Sequence, residues 1–293
     1  MPIEAQQLVR KMRGGAQAHL VSASDGQSWV VKFSNNPQHR RILINEWISS
    51  AILDYLALAT PPAALVEITE TFLEQEPDAA LTLGRRQIRP ELGAHFGSRF
   101  PGPPERTVVY DFLPDALLGT LSNQPDFVGT LAFDKWLGNA DSRQAIFFRA
   151  RLAAAGAPPH EEKPRLGIVA QMIDNGYVFE GPHWRFADSP IQGLYFRPQV
   201  YEKVHGWDSF EPWLERIRHF PEEVLDQAVK RIPPRWFEET APAGSGSGRL
   251  ASLAAEQDAL EALLEQLLRR RSRVADLIEQ ARDSSKQPFP NWQ

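Results

Sequence analysis

Two aspartates in polar loops carry the chemistry this sequence can do. Asp141 lies in Gly138-Asn139-Ala140-Asp141-Ser142-Arg143-Gln144, between a long helical stretch holding Trp136 and an apolar segment, residues 145–148. Asp174 ends a second apolar segment, residues 166–173, and is followed by Asn175-Gly176. Asn, Asp and Gly are common turn formers, so each loop alone reads as a plain turn. Paired as a hairpin, however, the two segments bring Asp141 in at the start of one strand and take Asp174 out at the end of the other. Both carboxylates then share one end, as a metal–nucleotide site requires and as turn propensity does not explain.

Three upstream features fall in order before them. Gly14-Gly15 make a turn between two strand-like segments. Lys32 lies inside an apolar strand, Trp29-Val30-Val31-Lys32-Phe33, and Glu46 lies beside Trp47 on the helix that follows. Each has a bland reading: a hairpin turn, an edge-strand lysine, a solvated helix carboxylate. Together they are the parts phosphoryl transfer from ATP needs. A Gly turn lets backbone N–H groups approach phosphates, a lysine neutralises them, and a carboxylate holds that lysine. One aspartate then orients or deprotonates a hydroxyl, and a second holds Mg²⁺.

The elements that must position these residues follow from periodicity. Residues 6–12, 19–24 and 28–33 read as strands, with Asp25-Gly26 as a hairpin turn. Apolar spacing from 38 to 58 (Ile42, Leu43, Trp47, Ile48, Ile52, Tyr55) predicts a helix that Pro61-Pro62 stops. Residues 63–67 read as a strand. Residues 75–105, with Gly93, Gly97 and Gly102, read as mostly loop, and 106–112 as a clear strand. Residues 117–137 read as helical with a break near Pro125, 151–164 as an exposed hairpin loop, and the chain from 208 as helical. Residues 241–248 (Ala-Pro-Ala-Gly-Ser-Gly-Ser-Gly) read as a flexible linker, and the leucine stripe of 250–281 as one helix.

At this point the sequence resembles the HipA-like kinases, a bacterial family related to protein kinases and phosphatidylinositol kinases, and is most similar to the compact group lacking a long N-terminal extension. The resemblance covers about residues 8–235. It rests on Met12-Arg13-Gly14-Gly15-Ala16-Gln17, Val30-Val31-Lys32-Phe33, Asn45-Glu46-Trp47, the run from Phe133 to Gln144, and Met172-Ile173-Asp174-Asn175-Gly176; Gly193-Leu194-Tyr195 and residues 207–213 add to it. It implies an α+β, two-lobed protein-kinase-like fold. The N-lobe, 1–113, is a small antiparallel sheet with one helix. A mainly helical C-lobe, 114–240, is followed by a linker at 241–249 and a C-terminal helix and tail at 250–293. It implies that Gly14, Gly15 and Gln17 approach the nucleotide, that Lys32 contacts ATP phosphates and pairs with Glu46, and that Asp141 is the catalytic carboxylate. It further implies that Asp174 binds Mg²⁺ and that Asp111, Phe112 and Leu113 give backbone contacts to adenine. The family places an Asn five residues after the catalytic Asp as a second metal ligand. Here Ile146 stands there, and Gln144 is the nearest amide. The expected activity is ATP- and Mg²⁺-dependent transfer to a hydroxyl, a Ser/Thr of a protein by family analogy. The alternatives are a lipid or small-molecule kinase, and a nucleotide-binding pseudokinase working through a partner, for instance through its last helix.

Composition excludes other classes. The chain has 293 residues, 42% hydrophobic and 24% charged, and no cysteine, which removes disulfides, thiolate nucleophiles and Cys-ligated zinc. None of the seven histidines pairs at His-x-x-x-His spacing, and neither a Gly-x-Ser-x-Gly elbow nor a Walker P-loop occurs. The net charge of −5 argues against broad nucleic-acid binding, so the run Arg269-Arg270-Arg271 reads as a solvated helix face. No apolar run reaches membrane-spanning length and no secretory signal is visible, which fits a cytoplasmic protein.

Overall fold

The computed structural model describes residues 2–152, 165–238 and 246–292. Its strands are β1 (Ile3–Lys11), β2 (His19–Ala23), β3 (Ser28–Lys32), β4 (Ala63–Ile68), β5 (Leu81–Leu83), β6 (Arg86–Ile88), β7 (Gly93–Arg99), β8 (Val109–Tyr110), β9 (Gln144–Leu152) and β10 (Arg165–Ile173). Its helices are α1 (Arg41–Tyr55), α2 (Glu70–Gln75), α3 (Asp115–Leu118), α4 (Asp126–Leu137), α5 (Trp213–Arg218), α6 (Glu222–Lys230), α7 (Gly246–Arg269) and α8 (Val274–Arg282).

The first half carries the expected small sheet, antiparallel at every pair but one and closed into a barrel. Five strands close in the order β1-β2-β3-β7-β4, and the closing pair, Ile3↔Val66 and Glu4↔Glu67, is parallel. Closure leaves this small sheet without a free edge. Strand alternation sends Val21, Trp29, Val31, Val66 and Ile68 inward, where Phe33 and α2's Phe72 complete the core. β7 lies inside the region expected to be loop. Its Gly97 is a packing requirement, because a Cβ there would overlap Val66 and crowd Trp29 across the barrel interior. The outer face of β3, β7 and β4 presents Val30, Lys32, Phe96, Ser98 and Leu65, and α1 packs over Phe96.

The second core is helical. Phe127, Leu131 and Phe133 of α4 pack with α1 and with Phe210, Ile217 and Phe220. Trp47 Nε1–H on α1 donates to the Ala228 carbonyl of α6 at 2.9 Å, locking α1 to this half. β9 and β10 form an unbroken antiparallel hairpin, from Ile173↔Gln144 to Arg165↔Leu152. The expected strand 106–112 contracts to Val109–Tyr110 and pairs with β9, not with the barrel. Its β-branched residues cover no core: Val108 is 63% exposed. Of the loop expected at 151–164, Arg151 and Leu152 belong to β9, and residues 153–164 fall outside those described. α7 begins at Gly246, within the stretch read as linker, whose residues 241–245 also fall outside those described.

The leucine stripe is two helices joined by a 3₁₀ turn at Arg270–Arg273. Arg270 is buried rather than solvated. It donates to the Lys135 and Trp136 carbonyls at 3.2 and 3.1 Å, satisfying the last turn of α4, and pairs with Asp188 at 2.6 Å. Among the described residues, no helix is long and apolar enough to cross a membrane.

Candidate active site

α4 ends at Leu137 with Gly138 as a left-handed cap, which turns the chain into the Asp141 loop. A buried polar network fixes that loop. Arg143, almost wholly buried, donates Nε–H to Asp134 Oδ2 at 2.9 Å and a further bond to Asp134 Oδ1. Its other amino group donates to the Ile173 carbonyl at 2.8 Å and to Asn175 Oδ1 at 2.9 Å. One guanidinium therefore joins α4, the Asp141 loop and the end of β10. Asn139 Nδ2–H donates to Asp134 Oδ1 at 2.9 Å, and Gly193 N–H donates to the Asp141 carbonyl at 3.2 Å. Gly193 sits at φ +70 against Asp134, where any Cβ would overlap the carboxylate-bearing side chain. Burial pushes the Asp134 carboxyl up in pKa, and Arg143 beside it opposes this.

The hairpin register delivers the expected meeting. Gln144↔Ile173 is the last pair, so Asp141 lies three residues before one strand and Asp174 one residue after the other. Asp141 is exposed, with Oδ1 accepting from Ser142 N–H at 2.8 Å. Asp174 takes the left-handed conformation at φ +62, a strained choice for a residue with a Cβ. Its Oδ1 accepts from Lys32 Nζ at 2.8 Å and its Oδ2 from Gln144 Nε2 at 3.0 Å. Lys32 also donates to Glu46 Oε1, and Glu46 is buried. Burial alone would push the Lys32 ammonium down in pKa, but Glu46 and Asp174 overcome that and hold it above its ordinary range. Lys32 in turn holds the Asp174 carboxyl below the usual carboxylate range.

Lys32, Glu46, Asp174 and Gln144 thus form one connected cluster, with Asp141 on the loop that Arg143 ties to it. Among the described residues, no group of three or more His, Cys, Asp and Glu side chains could hold a metal by itself. Asp174 and Gln144 supply one carboxylate and one amide, a set that suits Mg²⁺, which is bound through one or two carboxylates together with substrate phosphates and water.

Other expected residues sit differently. Gly14 and Gly15 form the β1–β2 turn, closed by Gln17 N–H to the Gly14 carbonyl at 3.2 Å. The Gln17 side-chain amide bonds the Thr82 carbonyl and N–H, each at 2.7 Å. Asp111, Phe112 and Leu113 follow β8, on the hairpin sheet. Phe112 lies exposed with the Arg197 guanidinium 4.5 Å from its ring centroid, and the Leu113 carbonyl already accepts from Arg197. β7, the barrel neighbour of Lys32's strand, is the strand that leaves the barrel toward this half, through residues 100–108.

Sequence reasoning gave Asp134, Arg143, Asn175 and Asn45 no role. One signal was available: a lone aspartate in the apolar stretch Phe127–Leu137 must be buried, and a buried carboxylate needs a partner. Asn45, beside Glu46, donates Nδ2–H to the Gly176 and Gly181 carbonyls at 2.7 and 2.9 Å and so laces α1 to the Asp174 loop.

With this geometry in hand, comparison with known proteins is informative about family. Residues 5–146 match the family described as HipA-like kinase. No match is found among curated proteins. Solved structures that align include a Golgi casein kinase with Mn/ADP bound, at TM-score 0.46 and 9% identity over 99% of this chain and 73% of that one. A second Golgi casein kinase structure aligns at TM-score 0.49 and 10% identity, over 97% and 74%. The Helicobacter pylori proinflammatory kinase CtkA aligns at TM-score 0.42 and 15% identity, over 97% and 100%. The match to the HipA-like kinase family spans just under half of the chain; it takes in Lys32, Glu46, Asp141 and Gln144 and stops before Asp174.

Proposed function

We propose that the protein is an ATP- and Mg²⁺-dependent kinase that transfers the γ-phosphoryl group to a hydroxyl, the Ser or Thr side chain of a protein. The observation that carries this reading is the shared ammonium of Lys32, bonded at once to Glu46 and Asp174, with Gln144 on the remaining Asp174 oxygen. Lys32 neutralises phosphate oxygens and Glu46 fixes its reach. Asp174 and Gln144 would hold Mg²⁺, which would supply charge neutralisation at the phosphates when bound. A half-turn of the Gln144 amide presents Oε1 in place of Nε2–H. Asp141, exposed on a rigid loop, accepts the acceptor's proton or orients its hydroxyl. The outer barrel face at Leu20, Val30 and Ser98 and the hairpin face bearing Ile146 and Ile173, which alternation places beside Gln144, would supply apolar surface for the adenine ring.

One observation favours a second reading. Both Asp174 oxygens are already taken by protein donors, and an isoleucine stands at the fifth position after Asp141. A site satisfied from within suits a nucleotide-binding protein without turnover. Incubation with γ-labelled ATP and Mg²⁺ separates the two. Turnover lost in Asp141→Asn and Asp174→Asn supports the kinase. Nucleotide binding with no turnover in the wild type selects the second reading, and no nucleotide binding rejects both.

A further inference from the structure

The N-terminus of α1 lacks ordinary helix-start chemistry. Arg40 at its N-cap makes no side-chain cap bond, and its first turn holds no acid. It carries Arg40 and Arg41 instead, at the end where the helix dipole disfavours cations. One amide, Arg41 N–H, bonds His39 Nδ1 at 3.1 Å. Carboxylates from elsewhere in the chain answer these two cations: Glu91 pairs with Arg40, and a glutamate from the other end of the chain pairs with Arg41. Glu256 of α7 takes Arg41 in a two-pronged pair, Nε–H to Oε2 at 2.8 Å and an amino N–H to Oε1 at 2.6 Å. Both side chains are about four-fifths buried, at 19% and 20% exposure, where such a fork is stronger and less screened than on a surface.

The same guanidinium reaches the metal-side loop. Its other amino group donates to the Pro182 carbonyl at 2.7 Å, and its plane lies 4.2 Å from the Trp184 ring centroid. Trp184 Nε1–H donates to Asn45 Oδ1 at 2.8 Å, and Asn45 holds the Gly176 carbonyl two residues after Asp174. Arg41 and Asn45 are one helical turn apart, and Glu46 is the next residue. Neither Arg41 nor Glu256 is bonded to Lys32, Asp141 or Asp174.

We propose that Arg41 and Glu256 are a positioning pair, by which the C-terminal helix α7 sets the placement of α1 and so keeps Glu46 on Lys32 and the Asp174 loop in register. The pair's effect on turnover rests on the kinase reading; its effect on α1 does not. A double-mutant cycle on the full chain tests both: Arg41→Ala, Glu256→Ala and the two together, with Glu265→Ala, an exposed α7 position, as control. Each single variant lowers kcat about tenfold while KM for ATP changes less than about twofold. The double variant is no slower than Arg41→Ala, because the second change removes nothing further. Hydrogen exchange rises over residues 41–55 and 176–184 in each single variant and stays unchanged over 126–137. Losses that multiply in the double variant, or singles with wild-type kcat and lowered melting temperature, overturn the proposal. If the wild type does not turn over ATP, the kinase reading fails and exchange decides alone: unaltered protection of 41–55 in both singles then rejects the pair.

Discussion

Lys32 and Arg143 do opposite work with the same kind of charge. Lys32 is shared between Glu46 and Asp174, and on the kinase reading phosphate would take the place of one of these partners. Arg143 is sealed against Asp134, the Ile173 carbonyl and Asn175, so its partners are permanent. The distinction sets what substitution does. Asp134→Ala leaves a guanidinium buried without its counter-charge and lowers stability by about 3–5 kcal/mol, read from urea unfolding. Replacing Asp134 and Arg143 together with apolar residues of similar volume costs less than that single change. At Asp141 the expected effect is chemical instead. Asp141→Asn lowers turnover about 10²- to 10⁴-fold while the melting temperature and ATP affinity stay near wild type. A variant within tenfold of wild type would show that Asp141 is not the base.

Among the elements, the Asp141 loop is held from two sides: by α4 through Asp134 and by the segment carrying Gly193. Gly193→Ala drives a Cβ into Asp134 at a left-handed backbone position, so it costs about 1–3 kcal/mol in unfolding free energy and lowers turnover with it. Unchanged values would mean that the segment yields and that Gly193 is not fixing the loop. This level also shows what was legible in the sequence. The hairpin between Asp141 and Asp174 was readable because its strands are apolar and bounded by turn residues, and its register places both carboxylates as expected. The Lys32 strand was readable from its β-branched and aromatic run, and the Glu46 helix from the 3.6-residue period. β7 was not, because glycine signals a loop locally, whereas Gly97 is demanded by Val66 and Trp29 across the barrel. The strand at 106–112 misled for the converse reason: its β-branched residues suggest burial, yet they lie on an exposed edge. Gln17 was assigned to the nucleotide turn by resemblance alone, and only the structure shows its amide bonded to Thr82.

Across the whole molecule, acidity reaches the fold through buried histidines: burial lowers the pKa of His19, and more strongly that of His95. His95 lies buried beside Phe33, with Nδ1 accepting Ser34 N–H at 3.0 Å and Nε2 set 2.8 Å from the Glu91 carbonyl. Those bonds need the neutral ring, since a proton on Nδ1 would face another N–H. Burial accordingly lowers its pKa from 6.5 to about 4. Between those values the unfolded chain binds the proton and the folded chain does not, so stability rises with pH across the window. It is lost as pH falls from 6.5 toward 4, and below that this group takes nothing more. The urea midpoint should drop between pH 7 and pH 5, and His95→Gln should flatten that dependence; an equal slope in both would assign it elsewhere. The β9–β10 hairpin has a consequence of another kind. Eight residue-to-residue steps of strand lead from Gln144 to Leu152, about 27 Å at the rise of an extended chain. Length changes between Leu152 and Arg165 enter at the far end of that ladder, and the pairing absorbs them before they reach Asp141 or Asp174. That end is therefore the place to build in a fluorescent reporter or an affinity handle, a position where sequence can grow without retuning the chemistry.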